Sequence, residues 1–429
     1  MDSAASFINH FNLAVFLLFI TLYAYQIVYM FISFKAKKKL RSESGRDPGR
    51  LHKFAVTIAA RNEELVIGQL IQSIKNQNYP GELIDIFVVA DNCTDYTARA
   101  AREAGAVVRE RFSKNRIGKG YALNYIFQAI EKDYASNQYD AYLVFDADNL
   151  LDENYAARMN DVFNEGYRVI TSYRNSKNFD QNWISSGYAL WFMHEAEYLN
   201  LPRIFTNNSC AVSGTGFLVD ADLIKENGGW IHHLLTEDIE FSVSQVIKGD
   251  KIGYCRDAVF YDEQPVTFKQ SWTQRLRWAK GFYQVFGRYG KNLFRSIFKG
   301  KQNKFSCYDL AMTIFPALLL SFLSIVVNGS FFLAGIFEFM EAEETMKATM
   351  TAMFQSLGWM YGILFILGFL TTLTEWKEIH CPGWKKVAYT VTFPLFMLTY
   401  VPIAAAALFK DVQWKPIAHT VVKSVDDVR

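Results

Sequence analysis

The stretch Asp140-Ala-Tyr-Leu-Val-Phe-Asp-Ala-Asp-Asn149 ends an apolar run in two aspartates, Asp146 and Asp148. Tyr142 to Phe145 is rich in β-formers and reads as a buried strand. Side chains two apart on an extended chain share a face, so both carboxylates point the same way at a strand end. Ligands of α/β sheets gather at such ends. A carboxylate pair there suits a hard divalent cation, Mg²⁺ or Mn²⁺, which in turn grips a diphosphate. A solvated turn would use the same residue types, so the rest of the chain has to decide.

Other polar clusters close other apolar runs. Arg61, Asn62 and Glu63 follow Phe54–Ala60, and Asp91 to Asp95 follow Ile84–Ala90; these are positions where a nucleoside could be held. Lys119 follows a glycine at a helix start, a good place for a phosphate. Thr236-Glu237-Asp238 opens a helix that Thr236 could cap. A carboxylate in that turn could take a proton from a poor nucleophile such as a sugar hydroxyl. Neighbouring helical side chains diverge, so only one of Glu237 and Asp238 can face the acceptor. In Gln274-Arg-Leu-Arg-Trp278 the guanidinium groups of Arg275 and Arg277 suit a diphosphate, and the indole suits a sugar ring. His232 and His233 are a weaker metal candidate, because a site that transfers from phosphate prefers oxygen ligands.

Strands alternating with helices from 53 to 290 predict a mostly parallel sheet with right-handed crossovers, its strand ends converging on one edge. Val212–Val219 reads as a further strand; its glycines lack the spacing of a dinucleotide fingerprint. Ala279–Arg288 mixes aromatic and basic residues, as a helix lying in a membrane interface does.

The chain has 429 residues and a formal net charge of +2, with no basic arm or zinc-finger spacing, so nucleic acid is not an expected partner. Five scattered cysteines without CxxC spacing predict reduced thiols facing a cytosol. Phe11–Phe34 is long and apolar enough to span a bilayer, too long for a signal peptide and without a cleavage site. It gives the unit 1–34, and the basic run Lys35–Arg41 places the adjoining α/β domain in the cytosol. Leu310–Phe339, Met353–Leu373 and Val387–Phe409 predict three more spans within 308–409, with Pro316, Pro394 and Pro402 tolerated inside them. The acidic loop Glu341–Glu344 fits the outside and the basic Lys377–Lys386 the inside. Three spans would leave the tail 410–429 outside, yet Lys410, Lys415 and Lys423 make it mildly basic, and the sequence leaves its side open.

Taken in order, Ala60-Arg-Asn-Glu63, Asp91-Asn-Cys-Thr-Asp95, Asp146-Ala-Asp148, Thr236-Glu-Asp238 and Gln274–Trp278 resemble the membrane-embedded family 2 glycosyltransferases. That group contains the cellulose, hyaluronan, chitin and poly-N-acetylglucosamine synthases. The resemblance covers about Phe54 to Trp278. It implies a cytosolic GT-A domain flanked by transmembrane helices in the plasma membrane. It further implies uridine contacts from Arg61, Asn62, Glu63, Asp91 and Asp95, Asp238 as the catalytic base, and metal at Asp146 and Asp148. Gly214, Thr215, Gln274, Arg275, Arg277 and Trp278 would then lie along the acceptor and product. The implied reaction is inverting, metal-dependent transfer from a UDP-sugar to a growing β-linked polysaccharide, exported through the chain's own helices, with an accessory export subunit or self-association left open. Two rivals remain: single transfer to a lipid acceptor, and a transporter whose cytosolic domain only binds nucleotide. Which sugar is used is not legible.

Overall fold

The computed structural model describes residues 3–40, 49–314, 316–337 and 342–429. One sheet of eight strands organises the domain, in the order β3-β2-β1-β4-β7-β6-β8-β5. The strands are β1 (Phe54–Ala60), β2 (Ile84–Asp91), β3 (Val107–Arg111), β4 (Ala141–Asp146), β5 (Leu150–Leu151), β6 (Val169–Ser176), β7 (Phe217–Asp220) and β8 (Ile252–Asp262). From β3 to β4 neighbours are parallel, and the helices Ile67–Lys75, Thr97–Glu103 and Lys119–Asp133 connect them as the alternation predicts.

The second half departs from a mostly parallel sheet. β7 runs antiparallel to both β4 and β6, β5 runs antiparallel to β8, and β6 with β8 is parallel. The sheet is therefore mixed. The expected strand Val212–Val219 shrinks to Phe217–Asp220, because Gly214 and Gly216 take φ of +82° and +65°. Those values turn the chain where an extended run would have continued.

Alternation along β1 feeds two cores. Phe54, Val56 and Ile58 pack with the helices Ile67–Lys75 and Tyr155–Phe163 on one face. Ala55 faces the opposite side with Phe87, Val144 and the helix Lys119–Asp133. A 32-residue helix, Phe268–Lys299, closes the domain and carries Gln274–Trp278 within it.

Among the described residues, Ala4–Lys37, Thr349–Thr374 and Gly383–Phe409 are long and apolar enough to cross a membrane. The expected span 310–339, with Phe315 outside the described residues, is described as the helices Lys304–Ile314 and Pro316–Ile336. Its last two residues, Glu341 of the acidic loop and Arg41 of the basic run lie outside the described residues. Charged groups moor the apolar helices to the domain. Lys37 meets Glu197 at 3.1 Å and also Glu375, and Arg203 holds Asp309 with two bonds of 2.8 Å.

Gly383–Phe409 is broken into Gly383–Leu398 and Tyr400–Phe409, and it touches the sheet domain along its length. Lys385 Nζ donates to Asp180 Oδ2 (2.9 Å), Arg275 Nη1 to the Phe396 carbonyl (3.0 Å) and Tyr283 OH to the Ala404 carbonyl (3.0 Å). The tail then folds back over the domain. Thr420 and Val421 amides donate to Glu263 (2.9 Å each), Lys423 Nζ to the Lys177 carbonyl (2.7 Å) and Arg429 to Asp152 (2.5 Å).

Candidate active site

The ends of β1, β2 and β4 lie side by side, Ala60 against Ala90 and Ala59 against Asp146. They floor a cleft that opens to solvent. Into it the fold brings Arg61, Glu63, Asp91, Lys119, Asp146, Asp148, Gly214, Glu237, Asp238, Gln274, Arg277 and Trp278. Residues spread over more than 200 positions of sequence thus line one space.

At one end Asp91 is buried, held by the guanidinium of Arg111 and by Asn92 Nδ2 at 3.1 Å. Two expected donor residues are not in the cleft. Asn62, with φ of +59°, accepts from the Thr94 amide at 2.8 Å. Asp95 accepts from the Thr97 amide (3.1 Å), the Thr97 hydroxyl (2.6 Å) and the Glu64 amide (3.2 Å). Both side chains are spent on locking the two loops together, a use open to any Asx residue in a turn.

In the middle, the Asp146 amide donates to Thr215 Oγ1 (2.8 Å), and that hydroxyl donates to Asn149 Oδ1 (2.5 Å). Thr215 therefore braces the turn from behind and does not line the cleft. Lys119 Nζ pairs with Asp146 and donates to the Gly214 carbonyl at 2.8 Å. Asp148 Oδ2 accepts from the Glu263 amide at 2.9 Å. Burial alone would raise the Asp148 carboxyl, but His419, Lys177 and Arg174 together with that amide hold it below the usual range. Burial pushes Glu63 up to about 7 even with His419 bonded to Oε1, and its Oε2 is buried without a partner.

This donor set fits a hard divalent cation: oxygens dominate it, and an orphaned carboxylate oxygen stands nearby. No group of three or more His, Cys, Asp or Glu stands ready to ligate among the described residues. Asp146 and Asp148 could thus supply only part of a coordination shell, the remainder falling to a diphosphate and water. His232 takes no part: it is buried beside Trp230 and Phe241.

Glu237 and Asp238 begin the helix Glu237–Lys248, with Thr236 at the cap position. Thr236 makes no cap bond; its side chain is pressed against Gly281, where a Cβ would come within 2.5 Å of it. Glu237 is buried and Asp238 half-buried. Burial, with the Asp238 charge, raises Glu237 to about 7, against Lys119 and Arg277. Burial likewise raises Asp238 against the opposing pull of the Ile239 amide, Lys119 and Arg277. Asp238 also faces Gly214, where a Cβ would lie 3.7 Å from its Oδ2.

At the far end, Gln274, Arg277 and Trp278 share one face of their helix. Trp278 meets Tyr188 and Phe192 edge-on at 5.7 and 6.2 Å. Arg275 points elsewhere, 3% exposed and bonded to the Phe396 carbonyl. A diphosphate in the cleft is out of its reach because the helix turns it about 100° from its neighbours.

Several residues of the cleft were not singled out in the sequence. Arg174 on β6 lines it, bonded through Nε to Asp262 (2.7 Å) and lying 3.6 Å over the Phe192 ring. An arginine inside a run of β-formers is a signal, since buried charge must be paired. Trp414, Lys415, Pro416, Ile417 and His419 form a wall of the cleft. The Trp414 ring lies 5.2 Å from the Arg61 guanidinium, and His419 Nδ1 is 2.9 Å from Glu63 Oε1. Burial opposes protonation of His419, but Asp148, Glu63 and Glu263 outweigh it and raise the imidazole to about 10.

A sequence profile described as "Glycosyltransferase like family 2" matches residues 52–281, more than half of the chain. The probable glycosyltransferase YdaM of Bacillus subtilis is 27% identical over 348 residues, 76% of this chain and 73% of the relative. A beta-monoglucosyldiacylglycerol synthase of Synechocystis sp. is 26% identical over 239 residues, 53% of this chain, which spans 47% of that relative. A poly-beta-1,6-N-acetyl-D-glucosamine synthase of Staphylococcus aureus is 23% identical over 312 residues, 70% of each chain. Among solved structures, the mannosyltransferase PcManGT from Pyrobaculum calidifontis, in complex with GDP-Man and Mn²⁺, shares the fold. Its TM-score is 0.53 at 16% identity, over 93% of this chain and 99% of that one.

Proposed function

The chain belongs to the family 2 glycosyltransferases, and from that premise we propose that it is an inverting enzyme transferring a sugar from a UDP-sugar to a growing β-linked polysaccharide. The catalytic domain, 53–290, would face the cytosol, carried by the helix of 1–34 and the helices of 308–409 in the plasma membrane. The observation that carries the reading is that Asp91, Asp146, Asp148, Asp238, Arg277 and Trp278 line one cleft, which supports a nucleotide end at Asp91 and an acceptor end at Trp278.

Asp91, Arg61 and Glu63 would seat the uridine. Arg277 and Lys119 lie where the diphosphate would run. Asp238 takes the proton of the acceptor hydroxyl as that oxygen bonds to the anomeric carbon. The bond from the anomeric carbon to the phosphate oxygen breaks, and its electron pair leaves with the diphosphate. Attack from the face opposite the leaving group inverts the centre. Mg²⁺ or Mn²⁺ held by Asp146 and Asp148 would supply charge neutralisation at that diphosphate.

A polymer synthase must hold its product between transfers, and stacking on Trp278 does so without blocking a slide by one unit. A second reading, single transfer to a lipid acceptor, is favoured by the aromatic wall of Tyr188, Phe192 and Phe396 behind Trp278. Incubating the purified enzyme with a panel of labelled UDP-sugars and sizing the products separates the two. Polymer shortened or abolished in Trp278→Ala, with UDP binding intact, supports the first. Only singly glycosylated lipid from the wild type, under every donor, overturns it.

A further inference from the structure

The helix Phe268–Lys299 runs on well past the cleft, and no Asp or Glu occurs anywhere from Gln264 to Tyr308. Arg288 is held by Glu240 at 2.9 Å. Beyond it Lys291, Arg295, Lys299, Lys301 and Lys304 are all exposed, and none makes an ion pair among the described residues. Basic residues at a helix C-terminus are ordinary, because the dipole favours them and water solvates them. Large rings among them are not. Phe294 and Phe298 stand one turn apart on the same face, and Phe298 is 76% exposed. Phe305, just past the end of the helix, is a third exposed ring. These rings are not needed by the core, which the same helix already fills from its other side with Val285 and Leu293.

The position of this corner is set by the N-terminal apolar helix. Phe305 lies 5.5 Å from Tyr25 and 6.3 Å from Tyr29, and Tyr308 OH donates to the Leu22 carbonyl at 2.7 Å. Between Ala4 and Tyr25 that helix has no Asp, Glu, Lys or Arg. At roughly 1.5 Å per residue the stretch rises about 30 Å, one hydrocarbon thickness. With one boundary at Ala4 the other falls at Tyr25, level with Phe305 and its basic neighbours. Aromatic rings settle at such a boundary, and the anionic lipids of a cytoplasmic leaflet attract basic segments held within a Debye length.

We propose that the corner from Lys291 to Phe305 is a docking surface for anionic lipid headgroups, with Phe294 and Phe298 entering the headgroup layer between the basic side chains. The proposal rests on the reading that the helix Ala4–Lys37 crosses the membrane. None of these residues lines the cleft, so the surface is separate from the donor and acceptor sites.

The test places the photo-crosslinking residue p-benzoylphenylalanine at position 298 of the full chain. The protein is reconstituted in vesicles of phosphatidylcholine and phosphatidylglycerol mixed about two to one, and the adducts are identified by mass spectrometry. Phosphatidylglycerol should be captured above its share of the vesicle by at least about twofold, and high salt should erase the excess. Lys291→Gln/Arg295→Gln/Lys299→Gln in the same chain should capture the two lipids in proportion, at wild-type UDP affinity. Proportional capture without those substitutions, or an excess that survives them, overturns the proposal. So does a chain that resists carbonate extraction yet yields no lipid adduct, or that yields a protein or nucleic-acid adduct instead when the experiment is repeated in cell membranes. A chain that carbonate strips from the vesicles refutes the membrane reading beneath it.

Discussion

Removing the tail's grip on the cleft should weaken the donor, and the sign is the informative part. Trp414 and His419 are the two contacts at issue, over Arg61 at 5.2 Å and on Glu63 at 2.9 Å. A charge-assisted hydrogen bond contributes about 1.5–3 kcal/mol, and a partly exposed cation–π contact about 0.5–1 kcal/mol. Together they hold the tail closed by about 2–4 kcal/mol, or a factor of roughly 30 to 1,000 at 1.36 kcal/mol per decade. Trp414, Lys415, Pro416, Ile417 and His419 line the cleft together with Arg61, Glu63 and Asp91, so on the proposed reading the tail acts as a wall against which the donor would lie. The double variant Trp414→Ala/His419→Ala should therefore bind UDP more weakly by at least about tenfold, read by titration calorimetry, with donor KM rising in parallel. Tighter UDP binding would show that the tail competes for the donor's place, and the wall argument would be wrong.

The catalytic pair makes a separable prediction: Asp238→Asn should keep UDP binding and lose transfer by about 10²-fold or more, with Glu237→Gln milder, and a reversed order would make Glu237 the base. A base works deprotonated, and both carboxyls are raised, Glu237 to about 7. The kcat/KM of the wild type should thus fall as pH drops, at a higher pH than an unperturbed aspartate would set, and Glu237→Gln, which removes a neighbouring negative charge, should move that limb to lower pH. For the cation, activity should vanish with a chelator and return with Mg²⁺ or Mn²⁺, and Asp148→Asn should be nearly inactive yet folded; full activity in excess chelator refutes the assignment.

The parts of the fold legible in sequence were those set by local pattern. β1, β2 and β4 are largely apolar runs that close in polar residues, Arg61–Glu63 after β1, Asp91 in β2 and Asp146 in β4, and their burial on both faces requires such runs. The mixed half was not legible, since β7 is short and its direction follows from two left-handed glycines. Motif residues fared according to what their neighbours needed. Asp91 and Asp146 reach the cleft from strand ends, whereas Asp95 and Asn62 are consumed by loop bonds that sequence cannot tell from ligand bonds. Arg275 was read as part of a clamp with Arg277, but helical geometry separates them, and only the partner Phe396, over a hundred residues away, reveals its use.

The same long-range contacts bear on the side the tail would take on the proposed membrane reading. On the membrane reading, Pro316–Ile336 and Ala342–Thr374 would leave the sheet domain and return to it, with the end of the second helix tied through Glu375 to Lys37 of the N-terminal helix. The next apolar segment has the length to cross, yet Asp180 binds its start, Arg275 its middle and Tyr283 its end, all from the sheet domain. A segment that spanned the bilayer would carry its end about 30 Å away, and Trp414, a few residues later, could not then wall the cleft. Gly383–Phe409 packs on the domain, bent at the break between its two helices, and on the proposed membrane reading the tail would stay on the catalytic side. With two crossings after the domain, its mild positive charge would agree with the positive-inside rule.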